Sequence, residues 1–382
     1  MKFLHIADLH IGKTVNGFSM AEPQAEVLGQ IAALARGRAP GAVVIAGDIY
    51  DKPMPGADAV RIFDRFLTEL SETGAAVLAI PGNHDAPERI GFAGKIMEKH
   101  NVFMCGPFDG RPQAVRLEDE FGGINFFMLP FINPRAARRF FGEAAAESYD
   151  SALRAAVGAA DVDFSSRNVL IAHQFVISAG CEPERSDSEA GPVGGLDSVD
   201  ASVFSGFDYV ALGHLHGAQH VGLPHIRYAG SPLKYSFSEW RHSKAALSVE
   251  IREKGHISIQ SLPLTPLHDM RKIRGPLSEL LSGEIAGQGD RQDYMHVTLT
   301  DDDEIIDAIG KVRSVYPNVM ALAFDNRRTQ EAPAAWEPGS IEGLSPFGLF
   351  EAFFAAQNGA PMNGRQAAIA KELLEGGIGG LP

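Results

Sequence analysis

Short apolar runs that end in polar residues recur through the first two thirds of the chain. Five of these runs share this form: KFLHIADLH, AVVIAGD, AAVLAIPGNHD, NVLIAHQ and YVALGHLH. Each apolar stretch is about four to six residues long and rich in Val and Ile, which favours a buried strand over a helix. The pattern predicts five strands, each followed at its carboxyl end by Asp, Asn or His.

Two longer segments with helical periodicity separate the first three runs. Apolar residues recur at helical spacing from Pro23 to Ala35 and again from Ala57 to Leu70. Alternation of strand and helix predicts parallel strands joined by right-handed crossovers. Because ligand sites form at the carboxyl edge of such sheets, we expect the polar residues of the five strand ends to meet.

The strand ends include seven side chains that bind divalent metal ions: Asp8, His10, Asp48, Asn83, His173, His214 and His216. A lone Asp or His after a strand is usually a cap or turn residue, but five coincidences require another explanation. Oxygen and nitrogen ligands without thiolate suit Mn, Fe or Zn better than Ca or Mg. Seven ligands are too many for one tetrahedral ion and match two ions that share a carboxylate.

A metal pair of this kind activates water and stabilises phosphoryl transfer, so the predicted chemistry is phosphoester hydrolysis. Two aspartates against two dications leave a charge of about +2, which attracts an anion. The leaving oxygen needs a proton, and His84 is the histidine left over for that task. His5 points to the opposite face of its strand from Asp8, so we predict that it packs in the interior.

Three basic residues are candidates for contacts with a DNA backbone: Lys13, Arg89 and Arg135. Arg135 shares a helical face with Arg138 and Arg139 in NPRAARRFF, a spacing that also fits an ordinary solvated helix. The solvated helix is the favoured interpretation, because the chain as a whole is acidic. For Lys13, phosphate contact and simple solvation stay equally open.

Composition narrows the class of protein. A chain of 382 residues predicts two or three domains, and its net charge of −14 argues against a stand-alone, high-affinity DNA clamp. Only two cysteines, Cys105 and Cys181, argue against a disulfide framework and fit a reducing cytoplasm. We found no apolar run long enough to span a bilayer and no secretory leader, so a cytoplasmic protein without a membrane partner is expected.

The last third of the chain has a different pattern. A boundary near PLTPLHDM precedes the strand DYMHVTLT, a helix predicted to open at Thr300 or Asp301, and the strand NVMALAFD. The stretch from Asn326 to Pro346 is rich in Pro and Gly and predicts a linker. Earlier in the chain, Glu182 to Gly195 lacks any periodicity and predicts a loop that shapes substrate access.

Two short helices are predicted near the carboxyl end. PFGLFEAFFAAQ brings Phe347, Phe350 and Phe354 onto one face, and a second helix surrounds Gln366 to Leu374. Two short helices cannot bury so much aromatic surface by themselves. We therefore expect them to dock on the preceding small domain or on a partner.

The motif order D-x-H, G-D, G-N-H-D, H, G-H-x-H resembles that of the calcineurin-like metallophosphoesterases. It stands here as ADLH, AGDIYD, PGNHDAPERI, AHQF and GHLH. A narrower resemblance, to the D subunits of the SbcCD exonuclease complex, is carried by GDIYDKPMP, SDSE with the following VGG, FDYVALGHLHGAQHVG and IRYAGSPLKYSFSE. It extends over nearly the whole chain. Leu9 departs from the family pattern, in which Trp is expected before the first ligand His.

The resemblance implies a role for each residue of the site. One metal ion would be held by Asp8, His10, Asp48 and His216. The second would be held by Asp48, Asn83, His173 and His214, with Asp48 bridging. His84 would be the general acid, and Asp85 would orient the loop or the imidazole. Both ions would be Mn²⁺.

The resemblance also implies architecture and activity. The expected fold class is α/β, a metallophosphoesterase β-sandwich flanked by helices, with a small α/β capping domain and partner-binding C-terminal helices. The expected domains are a nuclease domain (1–264), a capping domain (265–326), a linker (327–345) and helices that bind the base of an ATPase coiled coil (346–382).

The implied function is 3′→5′ exonucleolytic and endonucleolytic cleavage of DNA, including hairpin or blocked ends, in repair, recombination and replication. The implied partners are an SbcC-type ATPase and a second copy of the chain, at the nucleoid. Two alternatives stay open: a stand-alone nucleotide or phosphodiester phosphoesterase on the same metal centre, and a scaffold that keeps the fold without the chemistry.

Overall fold

The computed structural model describes residues 1–179, 181–189, 198–326, 344–358 and 361–376. The chain forms two compact units, Met1–Met270 and Arg271–Pro382. Within the described residues, no helix is both long enough and apolar enough to cross a membrane.

Two six-stranded sheets build the first unit. Across the first sheet the strands are Ile257–Pro263, Ala245–Ile251, Lys2–Ile6, Ala42–Ala46, Ala76–Ile80 and Val102–Met104. Its last four strands are parallel, which confirms the parallel pairing predicted for the first three runs. The two strands at its other side, both contributed by the end of the unit, are antiparallel.

The second sheet holds the other two predicted strands. Across it the strands are Gln219–Val221, Leu223–Tyr228, Tyr209–Gly213, Arg167–His173, Gly122–Leu129 and Gln113–Asp119. Tyr209–Gly213 and Arg167–His173 run parallel, and their last residues, Gly213 and His173, are register partners. Two short strand pairs, Thr14–Val15 with Phe18–Ser19 and Val176–Ile177 with Val199–Asp200, complete the β-structure described in this unit.

The two sheets pack face to face around an apolar core. Phe3 of the first sheet lies edge-on to Phe126 and Tyr209 of the second, with ring centroids 5.5 and 5.6 Å apart. Phe127, the next residue along its strand, faces the other way and belongs to a second core cluster, as the two-residue period of a strand requires. That cluster includes Leu153 of a covering helix, so the predicted α/β sandwich flanked by helices is confirmed.

The helices described in this unit are Ala21–Arg38, Ala57–Ser71, Pro87–Ile90, Gly94–Met97, Pro134–Phe141 and Tyr149–Gly158. Short 3₁₀ turns occur at Glu98–His100, Glu143–Ala146, Ala201–Phe204 and Phe237–Glu239. The first two helices confirm the segments predicted from helical periodicity. The third predicted helix, NPRAARRFF, begins after Asn133, whose side chain accepts a hydrogen bond from the Ala136 amide at 2.9 Å.

The second unit contains a three-stranded sheet with strands Met270–Gly275, Tyr294–Leu299 and Val319–Phe324. Among the described residues of this unit, the helices are Leu277–Leu280, Gly283–Ala286, Ala308–Arg313, Pro346–Asn358 and Gly364–Gly376. The last two strands are parallel, and the helix between them packs through Val312 into a core with Met295, Val297 and Tyr316. The predicted strand–helix–strand unit is confirmed.

The predicted start of that helix is wrong. The helix begins at Ala308, where the Asp307 carboxylate accepts a hydrogen bond from the Gly310 amide at 3.2 Å. Asp301 instead accepts from the Leu277 amide at 2.8 Å and satisfies the first turn of an earlier helix. A capping side chain bonds whichever exposed amide the fold brings near, and sequence distance does not reveal that competition.

The two predicted C-terminal helices are confirmed as Pro346–Asn358 and Gly364–Gly376. They leave large apolar side chains exposed, among them Phe353 at 53% and Leu373 at 69%. Most of the predicted linker, residues 327–343, lies outside the described residues. Of the predicted access loop, residues 182–189 are described and 190–195 are not.

Candidate metal centre

The carboxyl ends of strands from both sheets converge on one site. The first sheet contributes the residues after Lys2–Ile6, Ala42–Ala46 and Ala76–Ile80, and the second contributes those at the ends of its two central parallel strands. The His173 Nδ1 atom lies 2.8 Å from the Ala46 carbonyl, and the His214 amide donates to Asp8 Oδ1 at 2.9 Å. The site therefore lies on the edge where the two sheets meet.

Asp8, His10 and His216 form one side of the site, here named the His10 side. Their ligand atoms lie within 4.8 Å of one another, and the Nε2 atoms of His10 and His216 are 3.1 Å apart. All three side chains are buried, and Asp8 Oδ2 has no hydrogen-bond partner. A buried carboxylate oxygen without a partner costs about 1–3 kcal/mol, a cost that a bound cation would remove. The residues present therefore fit a metal ion.

Asn83, His173 and His214 form the other side, here named the Asn83 side. The Asn83 Oδ1 atom lies 3.0 Å from His173 Nε2 and 3.1 Å from His214 Nδ1. Since the Ala46 carbonyl can only accept, His173 Nδ1 carries a hydrogen, and its Nε2 faces the oxygens of Asn83 and Asp48. Burial lowers the pKa of His173, but the Asp48 and Asp8 carboxylates and the Ala46 carbonyl together raise that pKa to about 9. A proton on Nε2 thus satisfies oxygens that a cation would otherwise bind.

Asp48 lies between the two sides. Its Oδ2 atom is 3.6 Å from His10 Nε2 and 3.4 Å from His173 Nε2, and its Oδ1 accepts a hydrogen bond from the His84 amide at 2.9 Å. Burial by itself would raise the pKa of Asp48, but the neighbouring His173 holds it well below its usual range. For Asp8, burial prevails and raises the pKa to about 7. Bound cations would favour the ionised form of both carboxylates.

The backbone of the site is held in a conformation that side chains rarely adopt. Asp8, His10, Asp48 and His214 have φ values of 54°, 44°, 49° and 111°. Each such residue costs of the order of 1–3 kcal/mol and persists only where its surroundings enforce it. Hydrogen bonds from the Asp8 amide to the Gly47 carbonyl at 3.0 Å and from the His10 amide to the Asp48 carbonyl at 2.9 Å enforce it here.

The PGNHD turn contains two further residues of the site. Asp85 accepts hydrogen bonds from the amides of Gly82, Ile49 and Tyr50 at 2.9, 3.0 and 2.9 Å, so it braces the loops that follow two neighbouring strands. Of the two predicted tasks, orienting the loop or the imidazole, this geometry matches the first. The His84 Nδ1 atom lies 2.9 Å from the Asp51 carbonyl, and its ring lies 4.8 Å from that of His10, centroid to centroid.

Sequence reasoning missed several residues that support the centre. Asp51 binds Lys13 at 2.7 Å and lies 3.6 Å from His10 Nδ1, in addition to its carbonyl contact with His84. Gln24 donates to the His10 carbonyl at 2.7 Å and accepts from the Gly12 amide at 2.9 Å. The position of Asp51 inside AGDIYD was a usable signal, whereas Gln24 stands in a helical segment with none.

The basic candidates have different settings. Lys13 is paired with Asp51, while Arg89 and Arg135 are exposed on the helices Pro87–Ile90 and Pro134–Phe141. Sequence reasoning also missed Arg185, whose guanidinium lies 3.6 Å from the centroid of the Phe175 ring. That ring is 6.4 Å from the His214 ring, and within the part of the chain that the structure describes no carboxylate pairs with Arg185.

His5 has the interior position predicted for it. It is fully buried, with Nδ1 2.9 Å from the Tyr209 hydroxyl and Nε2 3.2 Å from the Leu212 carbonyl. Burial lowers the pKa of His5 to about 3, so the ring is neutral at physiological pH. It connects the first strand to the strand that precedes His214.

Comparison with known proteins shows which family the chain belongs to. Residues 1–218 match the family model described as calcineurin-like phosphoesterase, and residues 266–358 match the one described as type 5 capsule protein repressor C-terminal domain (SbcD_C). The chain is 32% identical over 329 residues to the D subunit of the SbcCD nuclease of Staphylococcus epidermidis, with 85% of each chain covered.

Among solved structures, the fold is similar to a dimetal phosphatase from Danio rerio, at 13% identity with a TM-score of 0.41 over 70% of this chain and 99% of that one. It is also similar to a protein of Thermus thermophilus, at 13% identity with a TM-score of 0.39 over 68% of this chain and 98% of that one. From the family models and the curated relative, the chain belongs to the calcineurin-like phosphoesterases, as a metal-dependent phosphodiesterase of the SbcD nuclease-subunit branch.

Proposed function

We propose that this protein is a two-metal DNA nuclease that cleaves 3′→5′ from ends and endonucleolytically at hairpin or blocked ends. The observation that carries the proposal is the position of Asp48, with one oxygen 3.6 Å from His10 and 3.4 Å from His173. A carboxylate so placed can serve both sides of the site at once. The name of the curated relative, a nuclease subunit, supports a nucleic acid as the substrate.

The proposed metal ligands follow the two sides. Asp8, His10, Asp48 and His216 would hold one ion, and Asp48, Asn83, His173 and His214 the other. Both ions are proposed to be Mn²⁺, which accepts mixed oxygen and imidazole ligands. When bound, the ions supply an activated water and neutralise charge on the scissile phosphate.

The protein's own groups handle the proton and the geometry. Since the Asp51 carbonyl accepts from His84 Nδ1, the second ring nitrogen of His84 is the one available to protonate the leaving oxygen. Asp85 holds the loop that carries His84 through its three amide contacts. His84 also has a ring nitrogen within 4.8 Å of ligand atoms of His10 and Asp48, so substitution of His84 is needed to distinguish a proton donor from a metal ligand.

The phosphate backbone of DNA is proposed to meet a locally positive site on an acidic chain. Two dications and two aspartates leave a charge of about +2, despite the net charge of −14. Arg185 beside Phe175, together with Lys13, Arg89 and Arg135, is proposed to contact the strand on either side of the scissile phosphate.

The partner is proposed to be an SbcC-type ATPase in a complex that acts in DNA repair, recombination and replication. The helices Pro346–Asn358 and Gly364–Gly376 expose Phe350, Phe353 and Leu373, an apolar surface suited to a helix-in-groove contact with a coiled coil. We also propose the predicted division of the chain into a nuclease domain (1–264), a capping domain (265–326), a linker (327–345) and partner-binding helices (346–382). Homodimerisation, Mn²⁺ as the physiological metal and a cytoplasmic, nucleoid-associated location stay predictions.

The proposal is tested with the full chain, purified with its ATPase partner and supplied with Mn²⁺. The substrates are linear duplex DNA labelled at the 3′ or the 5′ end, a hairpin, a duplex blocked at both ends and a small chromogenic phosphodiester. We expect 3′→5′ shortening of the duplex and cleavage near hairpin and blocked ends. Hydrolysis of the small phosphodiester without any degradation of DNA would instead support the stand-alone phosphoesterase.

A further inference from the structure

His216 is a proposed ligand whose ring and backbone amide both contact side chains from another part of the chain. Its Nδ1 atom, on the far side of the ring from the His10 Nε2 contact, lies 2.7 Å from the Ser188 hydroxyl. Its backbone amide donates to Glu189 at 2.6 Å. Both contacts come from the segment Glu182–Glu189, which carries no ligand of the metal centre.

The direction of the hydrogen bond between Ser188 and His216 follows from a third residue. The Ser188 hydroxyl also lies 2.6 Å from Glu239 Oε1, and the other oxygen of that carboxylate accepts from Lys244 Nζ at 2.5 Å. A carboxylate beside an ammonium group is ionised and only accepts hydrogen bonds. The single hydroxyl hydrogen therefore goes to Glu239, and the Ser188 oxygen accepts from His216 Nδ1.

The Glu239–Lys244 ion pair that orients Ser188 makes further hydrogen bonds to the surrounding residues. Glu239 is fully buried, and Lys244 uses its remaining donors on the His216 carbonyl at 2.8 Å and on Ser231 at 2.9 Å. The Glu239 carboxylate also accepts from the Tyr235 amide at 3.2 Å. A buried ion pair contributes little net stability, so we assign this one a role in fixing the geometry around Ser188.

We propose that Ser188, oriented by the Glu239–Lys244 ion pair, is a positioning residue that keeps His216 protonated on Nδ1 and leaves Nε2 free to bind metal. This inference rests on the proposed metal centre and extends it to a segment outside the ligand motifs. A histidine that binds metal through one nitrogen usually donates from the other, and losing that partner lowers metal affinity about 10- to 100-fold.

Two further hydrogen bonds hold the segment that carries Ser188. The Glu184 amide donates to the Gln219 side chain at 3.0 Å, and the Asp187 amide donates to the Ser238 hydroxyl at 2.9 Å. Ser188 is therefore placed beside His216 by contacts that involve none of the proposed ligands.

The first experiment uses metal-free full chain labelled with ¹⁵N in its histidine rings. His216 is assigned by its loss in His216→Gln, and its two ring nitrogens report which one carries the hydrogen. We expect Nδ1–H in the unchanged protein and in Ser188→Thr, and a mixture of tautomers in Ser188→Ala. Nε2–H in the unchanged protein, or the same tautomer in Ser188→Ala, would overturn the proposal whether or not the protein is a nuclease.

The second experiment titrates the same proteins with Mn²⁺ alone. Ser188→Ala should weaken one of two Mn²⁺ sites about 10- to 100-fold and leave the other unchanged. Ser71→Ala is the control, because its exposed hydroxyl bonds the Thr68 carbonyl and touches neither His216 nor the residues around Ser188. Equal Mn²⁺ affinities in Ser188→Ala and Ser71→Ala would contradict the inference, whereas failure of the unchanged protein to bind two ions would contradict the proposed function.

Discussion

The two sides of the metal centre are built in different ways. On the Asn83 side, the Ala46 carbonyl of the main chain holds the His173 ring. On the His10 side, the His214 amide holds the Asp8 carboxylate, but the two histidines are supported by side chains from other parts of the chain. Gln24 holds the carbonyl of His10, and Ser188 and Glu239 stand behind His216.

This difference has a consequence for how the site tolerates change. A backbone carbonyl cannot be removed by a substitution, so metal binding on the Asn83 side should be weakened chiefly by substitutions of its own ligands. The His10 side depends on buried side chains, so its metal binding should also be weakened by substitutions of residues that do not contact metal. Asp48 belongs to both sides and is the exception.

The largest expected effect comes from removing the residue that the two sides share. Asp48→Ala should abolish binding of both Mn²⁺ ions and lower DNA cleavage at least ~1,000-fold, about 4 kcal/mol of transition-state stabilisation. Elemental analysis and a nuclease assay measure the two quantities. Asp58→Ala, at an exposed surface position, is the control. Retention of one tightly bound ion would show that the sides are independent.

A smaller and more selective effect is expected in the PGNHD turn. His84→Ala should keep both ions and lower cleavage about 10²- to 10⁴-fold, because it removes a proton donor. Asn83→Ala should lower occupancy of the Asn83 side alone. Metal content and cleavage rate are measured on both variants.

Equal loss of metal in His84→Ala and Asn83→Ala would make His84 a ligand instead of a general acid. A pH profile adds an independent check, because removing a general acid should abolish the alkaline limb of the rate profile.

The dependence of the His10 side on side chains is tested by Gln24→Ala. This buried amide bonds the His10 carbonyl and the Gly12 amide, and its loss should lower the free energy of unfolding by about 1–3 kcal/mol. Urea unfolding of the metal-free protein measures it. Glu26→Ala, exposed on the same helix, should change stability by less than ~0.5 kcal/mol. A neutral Gln24→Ala would remove the contrast between the sides.

The last expected effect concerns pH and the contact of His5 with the strand that precedes His214. The pKa of His5 falls from 6.5 when unfolded to about 3 in the buried folded state, so the unfolded chain binds the proton first as pH falls. Its contribution to stability is therefore complete above pH 6.5 and is lost progressively towards pH 3, at about 1.4 kcal/mol per pH unit.

His5→Gln should flatten the dependence of the unfolding free energy on pH between 6.5 and 4 by about that slope. The comparison is made on metal-free protein at several pH values, with the unchanged chain as reference. Identical slopes for the two proteins would mean that His5 is protonated in the folded state.

Local pattern predicted a large part of this molecule. The five strands follow from short apolar runs, the first two helices from a period of 3.6 residues, and the seven polar residues at the strand ends from ligand chemistry. These features depend on residues within a few positions of one another. The predicted helix start at Thr300 or Asp301 was wrong because the Asp301 carboxylate had a nearer amide, at Leu277, that only the fold supplies.

By itself, the sequence determined which side chains could bind metal, because the strand ends carry them and each strand is specified locally. Only the tertiary structure decided that the five strands belong to two sheets, that Asp85 braces a loop, and that Ser188 and Glu239 stand behind His216. These contacts join residues 28 to 51 positions apart, or sheets facing each other. Their geometry depends on how whole layers pack, which no local pattern encodes.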